Sequence, residues 1–265
     1  MKINLLVILF LSIAISSFAQ NSETIISSRP GQAFAPDVVG TGWFQLQSGI
    51  NFTKLDIGNP SFATARQFSH NSLLRYGLSK RLDLRAMVTL TRENFRTELL
   101  PDNNSFGIND IEFGVRYNIL DGNSNKSKLA LQADIGLPVR AGDFSSGDVP
   151  YDLLLIYSRP LIGSVTLTTN LGLESIDFTV APFARYVVNI NFPVTSKLSA
   201  FVETYGTYVR QSYDEFSIFF DGGLAFLVNN DFQFDMSFGY SGDTTQVFVP
   251  ERQWFIDGGI SIRFQ

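Results

Sequence analysis

The stretch NDFQFDMSFGYSGD, Asn230 to Asp243, alternates almost without error. Phe232, Phe234, Met236, Phe238 and Tyr240 share one parity, and Gln233, Asp235, Ser237 and Gly239 share the other. Successive side chains of a β-strand point to opposite faces, so this is a strand with an oily face and a polar face. A helix would scatter the five apolar residues around its circumference. A one-residue slip in register would exchange the faces, at roughly 1.5–3 kcal/mol for each large apolar side chain moved out of its apolar medium. The medium itself, protein core or lipid, has to be read from the rest of the chain.

The same alternation recurs in both directions along the sequence. WFQLQSGINFT (43–53), RLDLRAMVTLT (81–91), NDIEFGVRYNIL (109–120), LALQADIGL (129–137), SVTLTTNLGLE (164–174), FTVAPFARYVVNIN (178–191) and QWFIDGGISIRF (253–264) all carry it. Less regular strands are expected near 66–77, 151–160, 199–210 and 216–228. With 232–241 these predict about twelve strands, an even number as in bacterial membrane barrels. Pro160 fits a strand end, and Pro182 requires a bulge or a later start to its strand.

Tight connections are expected at 78–82, 121–126, 160–164, 192–197 and 229–231. The intervening ones, at 54–66, 92–107, 138–150 and 241–251, are expected to be longer and rich in Gly, Pro, Asp and Asn; those near 175–177 and 211–215 are short. Short turns on one rim and long loops on the other are a membrane-barrel pattern.

The chain opens MKINLLVILFLSIAISSFAQ, with Lys2, an apolar run from Ile3 to Ile15 and the small-residue site Ser17-Phe18-Ala19. This predicts a secretory signal peptide over 1–19, cleaved before Gln20. Its apolar run is short of the ~20 residues of a spanning helix. Residues 20–41 are either a periplasmic tail or a plug in the lumen, and RPGQAFAPDVV is apolar enough to favour partial plugging. The barrel itself is expected over 42–265.

The chain has no cysteine, which leaves neither disulfides nor thiol chemistry. A formal charge of −5 over 265 residues argues against nucleic acid as a partner. Twenty-five Phe, 9 Tyr and 21 Gly suit an all-β protein.

Lipid is favoured over a sandwich core because the polar parity is charged at strand centres. Arg75, Arg85, Glu112, Arg116, Asp134, Arg185, Glu203, Asp221, Asp235, Asp257 and Arg263 would then line one lumen. Any such Arg facing the bilayer midplane would cost roughly 2–4 kcal/mol. Tyr and Trp near strand ends (Trp43, Tyr76, Tyr117, Tyr151, Tyr186, Tyr240, Trp254) resemble interfacial girdles, and the chain closes on the aromatic-ended strand ISIRFQ.

Several stretches resemble the family of outer-membrane transporter-like proteins described as "Putative MetA-pathway of phenol degradation". They are SSRPGQAFAPDVVGTGWFQLQSGINFT (27–53), SLLRYGLSKRLDLR (72–85), INDIEFGVRYNIL (108–120) and LQADIGLPVRAGD (131–143). Gln47 stands where the family often has Glu, and Val139-Arg140 where it often has Pro-Thr. The resemblance implies a single outer-membrane barrel passing small compounds, hydrophobic or aromatic ones among them. The partners expected are the lipid bilayer and the outer-membrane insertion machinery.

Two alternatives stand beside a channel. One is a structural barrel with a filled lumen. The other is a lipid hydrolase built on His70, the only histidine, and Ser72, which share a strand face as base and nucleophile. Gly222-Gly223 and Gly258-Gly259 precede no helix and read as close contacts rather than phosphate loops. No spacing suits a metal ion, and no cofactor is expected.

Overall fold

The computed structural model describes residues 24–58, 62–97, 101–122, 126–138, 141–144, 147–210, 214–241 and 251–265. The expected signal peptide, the departure at Val139-Arg140 and the connection 242–250 lie outside these residues.

Twelve long antiparallel strands close into a barrel. They are β1 (Phe44–Ile57), β2 (Ala63–Gly77), β3 (Leu82–Thr97), β4 (Asn103–Asp121), β5 (Lys128–Gly136), β7 (Tyr151–Pro160), β8 (Thr166–Ser175), β9 (Phe183–Pro193), β10 (Leu198–Arg210), β12 (Phe219–Asn229), β13 (Phe232–Ser241) and β14 (Glu251–Phe264). Two short pieces, β6 (Ala141–Gly142) and β11 (Asp214–Phe216), pair with the extensions of β4 and β10. Each long strand pairs with its neighbour in sequence, and β14 closes on β1 from Phe44↔Phe264 to Ile57↔Glu251. Closure leaves no unpaired sheet edge.

The opening stretch behaves as its alternation requires. Phe234, Met236, Phe238 and Tyr240 of β13 are exposed on the outer face, while Gln233, Asp235 and Ser237 are buried inside. The largest wholly buried side chains include Arg75, Arg116, Gln45 and Gln132, beside one small apolar cluster of Ala130, Leu154 and Ile156 against Phe34. The interior is polar and the exterior apolar, the reverse of a soluble sandwich and the arrangement of a transmembrane barrel.

Two of the loops expected to be long are instead strand. β1 continues to Ile57 and β2 begins at Ala63, and β3 continues to Thr97 with β4 beginning at Asn103. The apolar–polar alternation fades there because both faces have left the lipid. Lys54–Asp56 and Arg96–Asp102 ion pairs decorate these extensions. Nine to eleven residues suffice for a tilted strand to span a bilayer, so β4, with 19 residues, stands well beyond it. Pro160 ends β7, and β9 starts just after Pro182, as a missing backbone N–H requires.

A bulge between Thr89 and Leu90 of β3 against β4 places Asn109 as an extra residue. It reverses the parity of the upper part of β4, so that Phe106 faces out and Asn109 joins the interior.

Candidate functional site

The polar interior divides into two walls. On the first, β2 to β5 contribute three arginines in adjacent positions, Arg75 opposite Arg85 and Arg116 opposite Asp83. Arg75 Nε donates to Asp83 Oδ2 at 3.1 Å. Arg85 Nε lies 3.1 Å from Asp134 Oδ1. Gln132 is the hub. Its Oε1 accepts from Arg116 Nε (3.0 Å) and Nη2 (2.6 Å) and from Arg85, and its Nε2 donates to Asp134 Oδ2 (2.6 Å). Every guanidinium on this wall therefore has a barrel partner, as buried charge requires.

The second wall, on β10 and β12 to β14, carries Glu203, Asp221, Asp235 and Asp257. Glu203 and Asp221 are register neighbours. Among the described residues no strand cation pairs with these four carboxylates. Arg29, from the segment ahead of the barrel, is the cation of Asp235 and Asp257. Its Nε reaches Asp235 Oδ1 at 3.2 Å, its Nη2 pairs with Asp257, and its Nη1 donates to Asn71 Oδ1 at 3.2 Å. Gly49 and Gly259 flank its guanidinium, and a Cβ at either would run into it.

Residues 24–41 form a loop inside the barrel that enters and leaves at the turn end. Ile25 N donates to Asn230 O at 2.7 Å, and Gly42 N to Gly77 O at 2.8 Å. Between these anchors the loop crosses the lumen. The amides of Gln32 and Ala33 donate to the Glu203 carboxylate, and Gly31, at φ +90°, leaves no room for a Cβ against Glu203 and Phe201. Phe34 exchanges hydrogen bonds with the Asn170 carboxamide, 2.7 Å from its N and 3.0 Å from its O. The Phe34 ring lies 4.9 Å from the Arg85 guanidinium carbon and 5.5 Å from that of Arg116, a double cation–π contact. The carbonyls of Ala35, Pro36 and Asp37 then accept from Arg116, Asn118 and Arg75 at 2.8, 3.1 and 2.7 Å. Lys128 Nζ holds the Asp37 carboxylate at 2.6 Å.

The loop separates two cavities. One, of about 340 Å³, opens toward the strand extensions and touches Arg29, Gln32, Asn51, Asn71, Asn109 and Phe255. The other, of about 460 Å³, opens toward the turns and touches Ile26, Pro36, Lys128, Thr168, Asn189 and Phe201.

The eleven charged residues expected from the sequence all face inward but do not form one cluster. Arg75, Arg85, Arg116 and Asp134 share the first wall, and Glu203, Asp221, Asp235 and Asp257 share the second. Glu112 stands beside Asp110 on β4. Arg185 pairs locally with Asp152 at 3.1 Å and Glu174 at 3.7 Å. Arg263 sits at the turn end, 2.7 Å from Asp231 and over the Trp43 ring. Gln132, Phe34 and Asp37 carry as much of the geometry, and only their polar or ring chemistry hinted at it.

His70 and Ser72 face outward, midway along the apolar band. His70 Nε2 lies 2.9 Å from Ser48 Oγ of β1, so its serine partner is Ser48 rather than Ser72. Across the strands His70 meets Ile50 and Leu90, neither of which can orient an imidazole for general-base work.

These features define a transmembrane β-barrel whose polar interior is occupied by its own leading segment. The chain belongs to the family described as "Putative MetA-pathway of phenol degradation", whose profile matches residues 27–255. Its fold is similar to that of the COG4313 outer membrane channel from Pseudomonas putida F1, at 15% identity and a TM-score of 0.63 over 90% of this chain and 100% of that one. The beta domain of the Bordetella autotransporter BrkA is also similar, at 11% identity and TM-score 0.57 over 83% and 99%. So is the CymD monoaromatic hydrocarbon channel, at 8% identity and TM-score 0.51 over 85% and 89%. No curated protein matches the chain.

Proposed function

We propose that the protein is an outer-membrane channel for small solutes, aromatic compounds among them, with residues 24–41 acting as a constriction across its lumen. The observation that carries this reading is the pair of cavities, of about 460 and 340 Å³, that the loop lines toward the turns and toward the strand extensions. Both are lined by barrel residues together with residues of the loop, and Arg29 touches both. A barrel built only as a scaffold would have no reason to keep two cavities of several hundred Å³ within the size range of ligand sites. The family's printed description and the CymD title, which names monoaromatic hydrocarbons, favour small aromatic solutes. No catalytic role is assigned, since the His70–Ser48 pair faces apolar neighbours.

In this reading the termini lie on the periplasmic side, the strand extensions outside, and the partners are the bilayer and the machinery that inserts barrels into it. The carbonyl-to-arginine bonds of residues 35–37 anchor the trailing limb of the loop, and Arg29 fastens its leading limb to the carboxylate wall. Passage requires the Arg29 side to yield.

The test compares ion conductance of the full chain in planar bilayers with that of Arg29→Ala. A measurable current that grows in the variant supports the channel. Silence in both, with a correctly folded barrel, would convict the filled-barrel alternative instead.

A further inference from the structure

On the outer surface around β14 to β3, above the apolar band that holds the His70–Ser48 pair, basic residues form one row. On four adjacent strands the lipid-facing parity changes from apolar to basic at the same step. On β14 Trp254 is followed outward by Arg252, on β1 Phe52 by Lys54, on β2 Phe68 by Arg66, and on β3 Leu90 by Arg92. The register makes these neighbours: Lys54 sits opposite both Trp254 and Arg66, Phe68 opposite Arg92, and Asp56 opposite Arg252. Adjacent strands lie about 4.8 Å apart, so the row spans roughly 15 Å of the perimeter.

Two members of the row, Arg66 and Arg92, are not neutralised by the described residues. The row's single carboxylate, Asp56, is held by Lys54 Nζ at 2.8 Å and Thr64 Oγ1 at 3.0 Å. Among the described residues, neither Arg66 nor Arg92 has a hydrogen-bonded or ion-paired partner on the protein, and both are exposed. Arg66 and Arg92 thus stand unpaired beside Lys54 and its carboxylate, Asp56. On the opposite side of the barrel the loop-end, outward positions are Tyr151, Leu173 and Tyr186. The aromatic rings of Phe52 and Trp254, with centroids 5.5 Å apart, mark the edge of the apolar band immediately below the row. A cation at that height meets headgroups, not acyl chains and not bulk water.

We propose that this row, Lys54, Arg66, Arg92 and Arg252, is a binding site for the phosphate groups of lipids in the leaflet at the loop end. The acyl chains would lie along Ile50, Phe68 and Leu90, and the phosphate would take the free guanidinium forks of Arg66 and Arg92. Planar guanidinium groups match phosphate oxygens two at a time. The site orients the barrel in the membrane on one side only, around β14 to β3.

The experiment uses the full chain in nanodiscs of phosphatidylcholine with and without phosphatidic acid, read by native mass spectrometry after detergent release. The wild type is expected to retain phosphatidic acid selectively. The double variant Arg66→Gln/Arg92→Gln is expected to lose roughly thirty-fold in that retention, from about fivefold per basic residue. Arg210→Gln, exposed on β10 away from the row, is expected to retain it. Added inorganic phosphate at the same concentration is expected not to displace the lipid, because a free anion lacks the acyl contacts. Equal retention of phosphatidylcholine and phosphatidic acid by the wild type, or undiminished retention by the double variant, would overturn the proposal. So would displacement by inorganic phosphate, which would point to an anion site without lipid specificity.

Discussion

The arginine wall and the carboxylate wall hold the same inserted loop, but from opposite states of balance. On the first, each guanidinium already has a carboxylate or carboxamide of the barrel, and the loop supplies only carbonyls and the Phe34 ring. On the second, Glu203, Asp235 and Asp257 take their cation and two of their backbone donors from the loop itself. Withdrawing the loop would leave the arginines largely satisfied and the carboxylates crowded together. The loop is therefore an accessory to one wall and a structural component of the other. The arginine wall is thus the fixed side, complete within the barrel, and the carboxylate wall depends on the loop.

The contrast predicts its largest effect where a wall is internally paired. Arg75→Ala strands the fully buried Asp83 carboxylate and removes a donor to Asp37 O. Breaking one partner of a buried pair costs about 3–5 kcal/mol. The drop should be visible as a lower urea midpoint in phospholipid vesicles, followed by the fluorescence of Trp43 and Trp254. If the midpoint stays put, the arginine wall is not the fixed side.

Next comes Arg29→Ala, which should loosen the loop more than the barrel. Losing charge-assisted bonds to Asp235, Asp257 and Asn71 is expected to cost on the order of 1–3 kcal/mol locally. The urea midpoint should move less than in Arg75→Ala, while protease cutting within 24–37 increases. Arg29→Lys should restore little of this, since an ammonium cannot span two carboxylates and a carboxamide as the planar fork does. Equal shifts in the two alanine variants would erase the distinction between the walls.

A smaller change is expected from Glu203→Gln. The amides of Gln32 and Ala33 keep a carbonyl acceptor but lose its charge, and charged acceptors are roughly twice as strong as neutral ones. About 1 kcal/mol is expected, read as faster hydrogen exchange at those two amides with exchange in β10 unchanged.

How much of this could be read from the sequence differs by level. The strands of the opening stretch, and the inward face of Arg116 and Asp235, follow from period-two alternation, which is local and strict. The extensions of β1 to β4 were hidden because alternation is written by the lipid boundary and ceases above it. The split into two walls depends on which strands are neighbours around the barrel. It follows from the strand order but not from any one strand, and Arg185 and Arg263 show that inward parity alone does not place a residue in a network. Phe34 reads as an ordinary apolar residue until Arg85 and Arg116 are brought to either side of it, and Gly49 and Gly259 until Arg29 lies between them.

The smallest effect belongs to a carboxylate outside both walls. Asp177, in the connection between β8 and β9, accepts from the Thr179 hydroxyl at 2.7 Å and backbone N–H at 2.8 Å, and from the Val149 N–H at 3.1 Å. These bonds, the Thr179 hydroxyl's first, hold its carboxyl below the usual carboxylate range. A depressed folded-state value means the ionised form is the bound one. Its contribution is present above the ordinary carboxylate range and is lost as pH falls through the lowered value. The residue lies in a solvent-facing connection, so water and salt screen it and the barrel as a whole should not notice. Hydrogen exchange at the Val149 and Thr179 amides should be slower in the wild type than in Asp177→Asn at neutral pH. That difference should vanish in acid while the protection of β8 and β9 persists. A difference that survives acid would mean the loop is held by packing, for instance of Phe178 on Tyr151, whose rings stack at 4.8 Å, rather than by the charge.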